Sequence, residues 1–270
     1  MLSFLFSRYC KGKSNTVTLF LLFVLIMVFI LTVENNRVNA QTFQELYIVS
    51  SPSAGILPHG GYLFHGSIGP SSSLLFQTMI GFYDRLMVGV SFGLQRFVGR
   101  GDIDLNDKPG FQLRLRVIEE DVTRPALSFG INTQGEDSYD EEEERYERKS
   151  KGFYFVVSKN YKFIRDLSIH GGVNYSLERK DEGGFNVFGA VVFEVFKGFS
   201  LLLDYNAGLD DNDTSLPSHR TRGRGYLDCG VRFDYMDNIR IKMLFKDLLD
   251  NYIPERGVAR TLEIFYVNYF

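Results

Sequence analysis

An all-β fold, an antiparallel up-and-down transmembrane β-barrel of about twelve strands, is the architecture the sequence predicts. Three observations lead there. Apolar and polar residues alternate with period two through most of the chain after residue 60, which is the periodicity of strands rather than helices. The connections between these runs are alternately short and long. The chain also opens on a basic, then apolar, then polar stretch of the kind that directs export.

That opening stretch has Arg8, Lys11 and Lys13 ahead of an apolar run from Val17 to Val33, with Val38-Asn39-Ala40 before Gln41. A cleaved N-terminal signal peptide over residues 1–40 is the reading this order supports. An uncleaved anchor is the alternative, because the run approaches spanning length. Cys10 precedes the apolar run, where a lipid-bearing cysteine would have to follow it. Cys229 is the other cysteine and reads as a small apolar residue on a strand face. Residues 41–60, SSPSAG among them, form an N-terminal extension, and 61–270 form the barrel.

The expected strands run at 61–69, 73–82, 86–97, 110–118, 124–134, 150–159, 164–179, 184–195, 199–209, 223–235, 239–247 and 259–270. Alternation is plainest from Leu167 to Glu178, where Leu167, Ile169, Val173, Tyr175 and Leu177 interleave with Ser168, His170, Asn174, Ser176 and Glu178. Leu86 to Gln95 and Gly225 to Tyr235 repeat it. The turns at 83–85, 119–123, 160–163, 196–198 and 236–238 are short, whereas 98–109, 135–149, 210–222 and 248–258 are long. Transmembrane barrels show this asymmetry between their two rims. In lipid an open sheet edge would strand its N–H and C=O groups, so the sheet must close.

Alternation alone also fits a soluble sandwich or lipocalin-like barrel. Arg114, Arg116, Asp204, Asp228, Arg232, Asp234, Arg240, Lys242 and Glu263 all fall on the polar phase of their strands. These are the expected lumen-facing charges. Twelve strands lie between the side-chain-filled barrel of eight and the aqueous porin of sixteen, so a narrow or partly filled lumen follows.

Chemical motifs are sparse. His59, His65, His170 and His219 are scattered and make no metal-site spacing, and no phosphate-loop or dinucleotide fingerprint is present. No catalytic residue, metal or cofactor is expected. Ser168 and His170 share a face and are the one pair that a hydrolase at the rim could use. A net charge of -3 gives no footprint for nucleic acid. The acidic run EDSYDEEEERYE reads as a solvated loop, or as one that gathers divalent cations beside lipopolysaccharide.

The final strand, with Leu262, Ile264 and Tyr266 on one phase and Phe270 at the end, resembles the terminal strand of bacterial outer-membrane proteins. That resemblance implies recognition by the barrel-assembly machinery, an outer-membrane location among lipids and lipopolysaccharide, and a periplasmic setting for residues 41–60. SSPSAGILPHGGYLFHG, with IGFYDRLMVGVSFG, KPGFQLRLRVIEE and GRGYLDCGVRFDY, resembles exopolysaccharide-associated barrels of the YjbH type. This implies polysaccharide-export components as partners. The functions left open are a narrow passive pore or structural envelope component, an accessory barrel in polysaccharide export or adhesion, and a rim lipid hydrolase.

Overall fold

The computed structural model describes residues 44–270 apart from 71–72, 96–103, 106–107, 142, 163–165, 179–183, 212–220 and 253–256. The expected signal peptide lies outside the described residues. The strands are β1 (Gly61–Ile68), β2 (Leu74–Phe82), β3 (Leu86–Gln95), β4 (Asp104–Leu105), β5 (Gly110–Ile118), β6 (Ala126–Asn132), β7 (Glu136–Asp140) and β8 (Arg145–Arg148). They continue with β9 (Gly152–Lys162), β10 (Asp166–Tyr175), β11 (Phe185–Phe196), β12 (Phe199–Asn206), β13 (Tyr226–Tyr235), β14 (Ile239–Lys246) and β15 (Ala259–Tyr269).

Twelve of these strands, all but β4, β7 and β8, pair antiparallel in sequence order. The last then pairs with the first, from Gly61↔Tyr269 to Ile68↔Leu262. The barrel is therefore closed, and its backbone groups are satisfied without an edge. Each of the twelve expected strands has its counterpart, with ends trimmed, among the described residues, mostly on the long-loop side. At the seam the Phe270 amide donates to the Gly60 carbonyl at 3.0 Å. This bond and the β1 ladder tie down the aromatic terminus.

Turn chemistry explains the tight rim. Tyr83 and Asp84 both have positive φ, 53° and 56°, and the Arg85 amide bonds the Phe82 carbonyl. This is the primed turn that matches strand twist. Gly198, at φ 82°, closes the turn between β11 and β12, where Phe196 and Phe199 stack with ring centroids 4.9 Å apart. Both chain ends of the barrel meet at this same rim.

Side chains are distributed inside-out. Val90, Phe92, Leu115, Val117, Phe129, Phe155, Ile169, Val187, Leu201, Leu203, Met243 and Ile264 are all exposed on the outer face. The inward phase holds buried Gln77, Ser91, Gln112, Ser128, Asn174, Asn186 and Ser200 together with the charged residues. An apolar exterior around a polar interior suits lipid and defeats a soluble sandwich, whose apolar faces must meet.

Candidate functional site

Residues 44–58 run inside the barrel. The described part of the stretch set apart as an extension thus occupies the lumen. It enters at the tight rim, turns at Val49-Ser50 and returns, as shown by the bridge Tyr47↔Pro52 and by the bonds Ile48 N–H to Ser51 O and Ser53 N–H to Leu46 O. It touches β5, β6, β9, β12, β13 and β14. Only a segment inside a closed barrel reaches strands on all sides.

Its apolar residues form the centre of the interior. Leu46, Ile56 and Leu57 pack with Leu63, Met79, Met87, Phe265 and Val267. Ile48 and Val49 pack with Ala190, Val192, Leu202 and Leu244, and Ala54 with Ala126, Tyr154, Val156 and Phe188. Fully burying one such aliphatic side chain is worth about 1.5–3 kcal/mol. The segment is therefore held by hydrophobic burial as well as by charge.

The charges divide into a base and a tip. At the base, Glu45 accepts from Arg232 at 2.5 Å, Arg240 at 3.1 Å and Lys242 at 2.5 Å. Burial pushes its pKa upward, but Arg240, Lys242 and Arg232 outweigh burial and hold it well below the usual carboxylate range. Lys242 also donates to the Ile48 carbonyl at 3.0 Å. At the tip, the amides of Val49, Ser50 and Ser51 converge on Asp204 Oδ2 at 3.2, 2.9 and 2.7 Å, and Ser51 Oγ donates to Oδ1 at 2.6 Å. Successive N–H groups aimed at one anion make a nest. Here the anion comes from the barrel wall.

A second insertion fills the wide rim. β7 and β8 pair as a hairpin, and the acidic run lies largely within it. This corrects the loop expectation, and the solvated one only in part: Glu147 is buried and Glu136 half-buried, whereas Asp137, Glu141 and Glu144 are exposed. Glu136 accepts from Lys246 at 2.9 Å and lies 3.6 Å from Arg148, while Arg145 pairs with Asp211 at 2.5 Å. Arg148 donates to Asp228 Oδ2 at 2.7 Å, and the same oxygen accepts from Ser50 Oγ at 2.9 Å. Asp228 therefore joins the two insertions. Asp210, buried beside Asp211, has its pKa raised to about 6, first by burial and then by its neighbour's charge.

Of the nine predicted lumen charges, seven bond the inserted segment directly. Beyond Asp204, Asp228, Arg232, Arg240 and Lys242, Arg114 donates to the Gly55 carbonyl at 2.7 Å, and Arg116 bonds the Gln44 side chain. Asp234 instead braces Arg240 at 2.5 Å and Arg232 at 3.3 Å. Glu263 lies 3.8 Å from His65. Leu262, Ile264 and Tyr266 fall on the outward phase of β15 and Phe270 is exposed. Ser168 and His170 do not converge: His170 Nδ1 bonds Ser158 Oγ at 2.7 Å beneath Ala54, and Ser168 Oγ bonds Asn160.

Glu45, Tyr47, Ser50 and Ser51 were missed by sequence reasoning. Two signals pointed to them. An extension in water has no use for Leu46, Ile48, Val49, Ile56 and Leu57 so close together, and the bases Arg232, Arg240 and Lys242 on adjacent strands lack enough acids of their own.

No family model matches the chain, and no curated protein matches it. Among solved structures, the KdgM porin is similar at 10% identity and TM-score 0.47, over 76% of this chain and 98% of that one. The NanC porin is similar at 9% identity and TM-score 0.44, over 77% and 99%. An outer membrane channel from Pseudomonas putida F1 is similar at 10% identity and TM-score 0.44, over 78% and 97%.

Proposed function

We propose that the protein is an integral outer-membrane β-barrel, non-enzymatic, that rests closed as a structural component of the envelope. The apolar exterior and polar interior support the membrane setting. The observation that carries the closed reading is the inserted segment: Glu45 anchored by three bases, Asp204 seated in its tip, and three apolar clusters built around it. Passive passage would require displacing all of these together. The wide rim faces outward and the tight rim, with both chain ends of the barrel, faces the periplasm, as short turns do in such barrels. Leu262, Ile264, Tyr266 and Phe270 on the closing strand serve in assembly.

Planar-bilayer recording tests this. The refolded protein starting at Gln41 is expected to be silent, while the same chain lacking residues 44–57 conducts in steady steps. Steady conductance from the intact chain would overturn the closed reading. Recovery in a water-soluble fraction, rather than with outer membranes, would overturn the membrane setting.

A further inference from the structure

A cavity of about 130 Å³ lies between the inserted segment, the base of the β7–β8 hairpin and the walls contributed by β1, β2, β3, β5, β6, β14 and β15. Gly69, Ser73 and Gln95 in its lining sit near the wide-rim ends of β1, β2 and β3, so it lies toward that rim. At roughly 10–15 Å³ per water on this measure, it has room for several waters or one small polar molecule.

Three buried polar atoms without a hydrogen-bond partner belong to its lining: Lys151 Nζ, Gln112 Nε2 and His65 Nε2. Most buried polar atoms find partners, so three around one space need a cause. Lys151 is the decisive one. It is 6% exposed, and among the described residues its ammonium makes no hydrogen bond or ion pair; the Phe188 ring lies 5.3 Å away, and Asp204, Glu136 and Asp210 act on it only from beyond ion-pair distance. The ring contact offsets only a fraction of what burying an unpaired ion costs. Acids also line the cavity, but Glu136 is taken by Lys246 and Arg148, Glu263 lies 3.8 Å from His65 and Asp137 is exposed, while Lys149 and Lys246 add two further cations to the lining. Burial, and then the charge of Arg148, push the Lys151 pKa down; a bound anion would reverse that.

We propose that this cavity binds a small oxyanion, of phosphate or carboxylate class, with Lys151 as its charge partner and Gln112 Nε2 as a neutral donor. Water could fill the space but would leave the charge unpaired. The site does not depend on whether the barrel conducts.

Isothermal titration of the refolded intact protein with inorganic phosphate, and separately with acetate, tests it and tells the two classes apart. One anion is expected to bind at one site per chain, with affinity at least tenfold weaker in K151M, several-fold weaker in Q112L and nearly retained in K151R. Heat-modifiable gel mobility shows that each variant is folded, and Q112L keeps the test informative if K151M does not fold. Absence of binding by both anions, or affinity in K151M and Q112L unchanged from the intact protein, would overturn the site. Phosphate or acetate binding by a protein that also conducts would sink the closed reading and leave this one standing.

Discussion

At the scale of single residues, the inserted segment hangs on two carboxylates of opposite origin. Asp204 belongs to the wall and is wrapped by the segment's amides, whereas Glu45 belongs to the segment and is wrapped by the wall's bases. Asp204→Ala leaves three amides and a hydroxyl buried without an acceptor, at about 1–3 kcal/mol each. A lower urea midpoint and flickering conductance are expected, with a smaller effect in Asp204→Asn, which keeps one acceptor oxygen. Because the Glu45 pKa is depressed, its contribution is complete above its ordinary value of 4.5 and is lost only as pH falls through the lower folded value. Closure should therefore be indifferent to pH between 7 and about 5 on its account. Asp210 works the other way. Its pKa rises from 3.8 to about 6, so the folded state binds more protons between those values and stability falls as pH climbs through them. Asp210→Asn should stabilise the barrel above pH 6 by up to about 3 kcal/mol and change nothing below the lower value. Urea unfolding at pH 3.5 and pH 8 checks both limits; equal effects at the two would contradict the assignment.

At the scale of elements, the insertions differ in how they are held. The segment at 44–58 is anchored by apolar packing throughout its length, while the β7–β8 hairpin depends on ion pairs to Lys246, Asp228 and Asp211. Replacing residues 137–147 by a short flexible linker should lower stability yet leave bilayers silent, since the segment beneath still fills the waist. A conducting product would show that the hairpin is the true closure. Where the segment leaves the barrel it crosses Gly81 on β2, and a methyl group there would press on the Leu57 and Pro58 carbonyl oxygens. Gly81→Ala should cost about 1–3 kcal/mol by overpacking and loosen the exit. The hairpin was illegible in sequence because its carboxylates outnumber its apolar residues, so alternation carries no hydrophobic signal. Arg145, within the acidic run, and Arg148, just after it, gave no sign that they would pair with Asp211 and Asp228.

At the scale of the whole molecule, closure of the sheet and filling of its interior are separate events. Pairing of β1 with β15 removes the edges, and this alone should make the protein migrate faster unheated than boiled on a gel. A chain lacking residues 44–57 should keep that behaviour at lower temperatures but lose it earlier on heating, because it surrenders three apolar clusters and the Glu45 anchor. If the two chains lost it at the same temperature, the segment would be a passenger rather than the interior's core.

By itself the sequence determined the barrel: strand number, the split between outward apolar and inward charged residues, and the tight and wide rims. Those features repeat along the chain with a two-residue period, and lipid allows a sheet no other way to satisfy its backbone. Only the tertiary structure decided what the inward charges do. Arg232, Arg240 and Lys242 read as a pore lining until Glu45, almost two hundred residues away in sequence, is found among them. Nothing local in SSPSAG says that its amides will close on Asp204. Such contacts depend on which strands stand opposite one another once the barrel has closed, and pairing across a lumen leaves no periodic trace in the chain.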